Sequence, residues 1–175
     1  DVRESFASLE RSKKKITIKG RLMSIRDQGG VAFLDIKDET GGLQAVLKKD
    51  TLKDFELIRT TIDIGDFVAV SGPLFRTKRG EESVDVKSFT LLTKSLRPIP
   101  SERFGVEEVE TRLRKRYLDL LLNPDTRELF KKKSAFWQAT REMLLKEKFL
   151  EVETPILESI PGGAEAEPFI THHNA

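Results

Sequence analysis

Residues 31–48 read VAFLDIKDETGGLQAVLK, two runs of alternating apolar and polar residues with an acidic, glycine-containing turn between them. Successive side chains of an extended strand point to opposite faces, so each run sorts itself into an inward and an outward set. In the first run Ala32, Leu34 and Ile36 suit a core, which leaves Phe33, Asp35 and Lys37 outside. In the second, Leu43, Ala45 and Leu47 point inward and Gln44 points outward. A hairpin with one apolar face needs further strands or a helix to cover it, so the flanking sequence must supply them.

It does so on both sides. ITIKGRLMSI (16–25) places Ile16, Ile18 and Leu22 on one face and Thr17, Lys19 and Arg21 on the other, and a DQGG turn joins it to the hairpin. TLKDFELIRT (51–60) reads as a short helical insert, GDFVAVSGPLF (65–75) as a fourth strand, TKRGE (77–81) as a hairpin turn and SVDVKSFTLLTKSL (83–96) as a fifth strand. Five short strands with one helix between the third and fourth predict a five-stranded OB-fold barrel over residues 16–96, preceded by a polar tail over 1–15.

Beyond the barrel, residues 97–110 (RPIPSERFGVEEVE) lack sustained periodicity and read as a linker. Leu113, Tyr117, Leu120 and Leu121 then recur at helical spacing up to Asn123-Pro124. A longer helix is predicted from Asp125 to about Lys148, with Leu129, Phe136 and Met143, and beside them Phe130, Trp137 and Leu144, forming an apolar stripe that must pack on something. FLEVETPIL (149–157) alternates as a strand interrupted by Pro155, IPGGAEAEPF (160–169) reads as a loop, and FITHH (169–173) as the start of another strand.

Composition narrows the function classes. With 38% hydrophobic and 34% charged residues the 175-residue chain is an ordinary globular sequence, and no apolar run approaches the roughly 20 residues a spanning helix needs. The absence of cysteine excludes disulfides and thiolate metal sites and suits a reducing, cytoplasmic setting. No secretory signal is legible in DVRESFASLERSKKK, and a first residue Asp1 with a last stretch FITHHNA inside an apolar run reads as a piece of a longer protein. The net charge is only +2, yet residues 111–150 carry 11 Lys/Arg against 5 Asp/Glu, while residues 151–175 carry five Glu and no Lys or Arg. That distribution suits a polyanion on one side and a cation-binding pocket on the other, or else plain solvated helix faces.

Phe33 and Gln44 lie on the outer face of the second and third strands, where OB-folds bind single-stranded nucleic acid. A phenyl ring there offers a stacking surface worth ~1–3 kcal/mol per base, and a carboxamide can both donate to and accept from a base edge. The alternative is a ring covered by a helix or turned into the barrel mouth. Arg21, Arg26, Arg76, Lys78 and Arg79 stand on or beside the same strands and either meet phosphates or are solvated. His172 and His173 point to opposite faces of a strand and cannot chelate one ion, so no metal site is expected. Gly162-Gly163 makes a turn or lets backbone approach a ligand closely. There is no P-loop, no GxSxG and no convincing carboxylate pair, and no catalytic residue is expected within this chain.

Taken together, RFGVEEVETRLRKRYLDLLLN, KFLEVETPIL and IPGGAEAEPFITHHNA, in this order and spacing, resemble the class II lysyl-tRNA synthetase family. FLDIKDETGGLQ and GPLFRTKRGE resemble its anticodon-binding domain, and KFLEVETPIL its motif 1 with Pro155 as the hallmark proline. The resemblance implies a five-stranded OB-fold followed by the start of the class II antiparallel-sheet catalytic domain over 111–175. It implies a lysine–tRNA ligase as parent, with ATP, magnesium, lysine and a lysine tRNA as its partners and none of the small molecules held by this stretch. By this likeness Phe33 matches the ring that stacks on the central anticodon uridine, and Gln44 the amide that reads it. Arg26 matches a basic neighbour of those bases and Glu81 an acidic residue contacting a flanking base. Gly162, Gly163 and Ala164 match a loop bordering the lysine pocket, and Phe130, Trp137 and Pro155 fall in the matching homodimer interface. Glu167 departs from the Arg or Lys usual before the second proline of that loop. Motifs 2 and 3 do not occur before Ala175, so the chain alone is expected to be inactive. Two other readings are a non-catalytic OB module binding single strands and an aspartyl- or asparaginyl-specific relative.

Overall fold

The structure is a computed structural model and describes residues 2–100, 108–156, 167 and 169–172. The chain forms two compact units, residues 1–118 and 119–175. The first is built on strand β1 (Ile16–Asp27), β2 (Val31–Lys37) and β3 (Gly42–Lys48), paired antiparallel in chain order. β1 is long enough to serve two neighbours. Its second half pairs with β2, and its first half pairs with β4 (Phe67–Gly72). A register shift between Leu22 and Ser24, with Met23 as the extra residue, bends the strand between those duties.

The fourth and fifth strands expected from sequence are each split in two. β4 continues as β5 (Leu74–Arg76), and β6 (Glu82–Asp85) continues as β7 (Ser88–Thr93). β6 pairs antiparallel with β5 and parallel with β3, and β7 pairs antiparallel with β4, giving the order β5-β6-β3-β2-β1-β4-β7. The sheet is not closed as one continuous ladder, but its two outer strands belong to one hairpin, stitched by Asp85 N–H to Pro73 O at 2.9 Å and Lys87 N–H to Ser71 O at 2.8 Å. Pro73 cannot donate to a ladder. Gly72 is required there because a Cβ would lie 2.0 Å from the Asp85 carbonyl oxygen.

Helix α2 (Phe55–Thr61) follows β3, as the sequence predicts. The predicted tail is different: residues 6–12 form helix α1, and Phe6 is only 1% exposed, with Val2 and Leu9 packed on the same core. The core itself is the inward set read from alternation: Ala32, Leu34, Ile36, Ala45 and Leu47, joined by Leu22, Val68, Val70, Val84, Val86 and Phe55. Fully burying one such Leu, Val or Phe is worth ~1.5–3 kcal/mol.

The single helix predicted before Asn123-Pro124 is broken at Lys115 into α3 (Val109–Arg114) and α4 (Arg116–Leu122). In the second unit, α5 (Pro124–Lys146) starts on an Asn123 cap that accepts from Asp125 N–H and Thr126 N–H, with proline at its first position. Residues 149–156 and 169–172 are not strands, contrary to the alternation there. A strand must exchange backbone hydrogen bonds with a neighbour, and among the described residues none pairs with this segment. Leu129, Phe136, Trp137, Phe149 and Leu150 are exposed.

Candidate nucleic-acid interface

The outer face of β1, β2 and β3 carries Arg26, Phe33, Asp35 and Gln44. Phe33, half-buried, stands opposite Arg26 on one side and Val46 on the other. The Arg26 guanidinium lies 5.9 Å from the centroid of the ring and 3.8 Å from Asp35, whose carboxylate also accepts from the Ser24 hydroxyl. Gln44 pairs across the ladder with Asp35, so it is the diagonal neighbour of Phe33, at roughly 7–8 Å between Cα atoms. The ring and the amide thus share one face of the sheet.

Gln44 points outward as alternation demands, yet it is only 7% exposed. Its neighbours explain why. The Nε2 group donates to Glu81 Oε2 at 2.7 Å, and Oε1 accepts from the Ser83 hydroxyl at 2.9 Å. Glu81 reaches this place because Gly80 adopts φ +84, closing the turn with Gly80 N–H to Thr77 O at 2.9 Å and Glu81 N–H to Thr77 Oγ1 at 3.1 Å. β-carbon-bearing residues rarely adopt that φ. Ser83 is supplied by the parallel pairing of β6 with β3, opposite Gln44 in register. Asp35, Lys37, Gln44 and Glu81 share the wall of an open cleft of about 310 Å³.

Of the basic residues read from sequence, Arg26 belongs to this face. Arg21 lies 4.2 Å over the Phe67 ring and donates to Gly65 O at 3.1 Å. Arg76 is paired with Glu82 at 2.7 Å and lies 5.2 Å over the Phe6 ring, so both serve the fold. Lys78 and Arg79 are exposed at the tip of the 77–81 turn. Gly162, Gly163 and Ala164 lie outside the described residues. Phe130 is 44% and Trp137 57% exposed, the latter edge-on to Phe136 at 5.5 Å, and Pro155 is exposed. Sequence reasoning missed Ser83 and Asp35, since their roles depend on strand register. No described group of three or more His, Asp or Glu could hold a metal ion. The arrangement brings together an aromatic ring, an oriented amide, a guanidinium and a carboxylate, groups able to stack on a base and to hydrogen-bond to its edge.

Residues 16–92 match the family model described as OB-fold nucleic acid binding domain. Residues 108–175 match the one described as tRNA synthetases class II (D, K and N). Similar proteins include the lysine–tRNA ligase of Oceanobacillus iheyensis, 49% identical over 173 residues, covering 98% of this chain and 35% of that protein. The namesake of Halalkalibacterium halodurans is 48% identical over 174 residues, covering 98% and 34%, and that of Bacillus subtilis 46% over 169 residues, covering 95% and 34%. The chain spans about a third of the length of these curated relatives. An OB-fold nucleic acid binding match over residues 16–92, followed from residue 108 by a match to the class II (D, K and N) tRNA synthetases, gives this chain, whose similar proteins are lysine–tRNA ligases, the domain order of the start of a class II synthetase.

Proposed function

We propose that this chain is part of a lysine–tRNA ligase and that the face built from Arg26, Phe33, Gln44 and Glu81 holds the anticodon loop of a lysine tRNA. In the whole protein the lysine carboxylate attacks the α-phosphate of ATP, releasing pyrophosphate and forming lysyl-adenylate, and the terminal ribose hydroxyl of the tRNA then takes the lysyl group, releasing AMP. Magnesium would offset phosphate charge in that reaction. The described residues hold no group of three or more His, Asp or Glu that could bind a metal ion, and no step of the reaction is assigned to them. Gly162, Gly163 and Ala164 border the lysine pocket in this reading, α5 with Phe130, Trp137 and Pro155 forms a homodimer interface, and the protein works in the cytoplasm. No helix among the described residues is long and apolar enough to cross a membrane.

The observation that carries the reading is the half-exposed Phe33 ring beside an amide whose hydrogen-bonding groups are already oriented. Sequence-specific RNA recognition targets unpaired bases by stacking and by hydrogen bonds to their base-pairing edges. Phe33→Ala is expected to weaken binding of an RNA hairpin with UUU at the centre of its loop by ~1–3 kcal/mol at fixed ionic strength. The far-ultraviolet circular dichroism should be unchanged. Unaltered affinity in a folded variant would remove Phe33 from the interface.

A further inference from the structure

We infer that Glu81 fixes which way round the Gln44 amide presents its donor and acceptor, and that this orientation is what admits uracil and rejects cytosine. The inference rests on the reading that a base stacked on Phe33 is read by Gln44.

A carboxamide is nearly symmetric in shape, but its two ends are opposite in hydrogen bonding: oxygen accepts and nitrogen donates. Uracil presents an N3–H donor beside an O4 acceptor. Cytosine presents an N3 acceptor beside an N4–H donor at the same two places. An amide that can turn over serves either base, whereas an amide held one way round serves only one. The discriminating element is whatever prevents the turn.

Two groups touch the Gln44 amide from within the protein, and only one of them can prevent it. Ser83 Oγ stands 2.9 Å from Gln44 Oε1 and 3.2 Å from the Glu81 carbonyl oxygen. Its single hydrogen can serve either oxygen. With the hydrogen given to the carbonyl, the hydroxyl lone pairs are available to accept from a reversed amide. Ser83 therefore tolerates both orientations. The Glu81 carboxylate, 2.7 Å from Gln44 Nε2, accepts only, so a reversed amide would set oxygen against oxygen. Gln44 is 7% exposed, so a reversed amide could escape that clash only if the exposed Glu81 side chain swung away into solvent and gave up the bond. With one Nε2 hydrogen on Glu81 and one Oε1 lone pair on Ser83, the amide keeps one hydrogen and one lone pair for a base, in a set order.

Glu81 is thus a positioning residue for Gln44 in addition to any contact of its own. The test compares the 175-residue chain with Glu81→Gln, Ser83→Ala, Gln44→Ala and Phe33→Ala variants on two RNA hairpins whose loops carry UUU or UCU at the centre. The unsubstituted chain is expected to prefer UUU roughly 5- to 150-fold, the range of one good bidentate pair. Glu81→Gln offers both a donor and an acceptor, so the ratio should collapse toward unity, chiefly by a gain for UCU. Ser83→Ala should keep most of the preference, and Phe33→Ala should weaken both hairpins alike. Full retention of the UUU preference in Glu81→Gln, or its loss in Ser83→Ala alone, would overturn the orientation role. Unchanged binding of both hairpins by Phe33→Ala and Gln44→Ala would overturn the underlying reading and the inference with it. Each variant is compared by thermal unfolding; Glu81 is exposed, so its replacement should leave the barrel intact.

Discussion

Asp66 is fully buried and still ionised, and the groups around it show why. Burial alone pushes its carboxyl up, but the Asp63 N–H at 2.8 Å, the Ser95 N–H at 2.7 Å and the Lys94 ammonium at 2.9 Å outweigh that and hold it below the usual aspartate value. Its backbone adds a further tie, accepting from Leu22 N–H at 2.8 Å. One residue thus pins the start of β4 to the middle of β1 through its backbone and to the segment just after β7 through its side chain. Because the folded carboxyl is more acidic than the unfolded one, its contribution is complete above the unfolded value of about 3.9 and is lost as pH falls through the folded value. Asp66→Asn should cost about 1–3 kcal/mol at neutral pH, and urea titrations should show that gap narrowing toward pH 3; a gap independent of pH would mean the charge is not what stabilises. None of this was legible in the sequence, where GDF looks like an ordinary strand entry. Phe33 and Gln44 were legible, because facing is a local property of alternation. The Glu81–Gln44 bond was not, since it joins residues 37 apart through a parallel pairing that no turn length specifies.

Among the elements, those with a complete local rule came out as read and those that depend on a partner did not. The α2 insert and the first three strands each carry their instructions within a few residues. The segment 149–156 alternates like a strand but has no described strand to pair with, so its backbone stays irregular. α1 was read as a tail because its seven residues are mostly polar. Its fold signal is only Val2, Phe6 and Leu9, which meet the core once the barrel exists. The end of α5 shows a local rule broken. Lys148 N–H bonds to Leu145 O and Phe149 N–H to Leu144 O, both at 3.0 Å, which is the Schellman pattern of a helix terminus. The residue that pattern places in the left-handed region is Lys148, at φ +67, where glycine is the usual occupant. Lys148→Gly should relieve about 1 kcal/mol of that strain. The expected result is a higher unfolding midpoint for the second unit in differential scanning calorimetry. A lower midpoint would show that the lysine side chain holds contacts worth more than the strain.

At the scale of the whole molecule the two units differ in what they leave uncovered. The first unit buries its core and presents the Arg26, Phe33, Gln44 and Glu81 face proposed to bind RNA. The second unit exposes Trp137, Leu144, Leu145, Phe149 and Leu150 around one cleft of about 380 Å³, flanked by the Arg141–Glu151 pair at 2.8 Å. On the proposed reading of α5 as a homodimer interface, these exposed side chains are its contact surface, and self-association through α5 is the expected outcome. A tryptophan at the centre of such a contact is typically worth about 2 kcal/mol or more. Trp137→Lys should therefore shift sedimentation-velocity profiles from dimer toward monomer by at least about thirtyfold in the dissociation constant. Since the proposed recognition residues Arg26, Phe33, Gln44 and Glu81 all lie in the first unit, the same variant should bind the UUU hairpin as tightly as before. Association unchanged by the substitution would move the interface away from α5. A parallel fall in RNA affinity would show that the recognition face depends on the second unit.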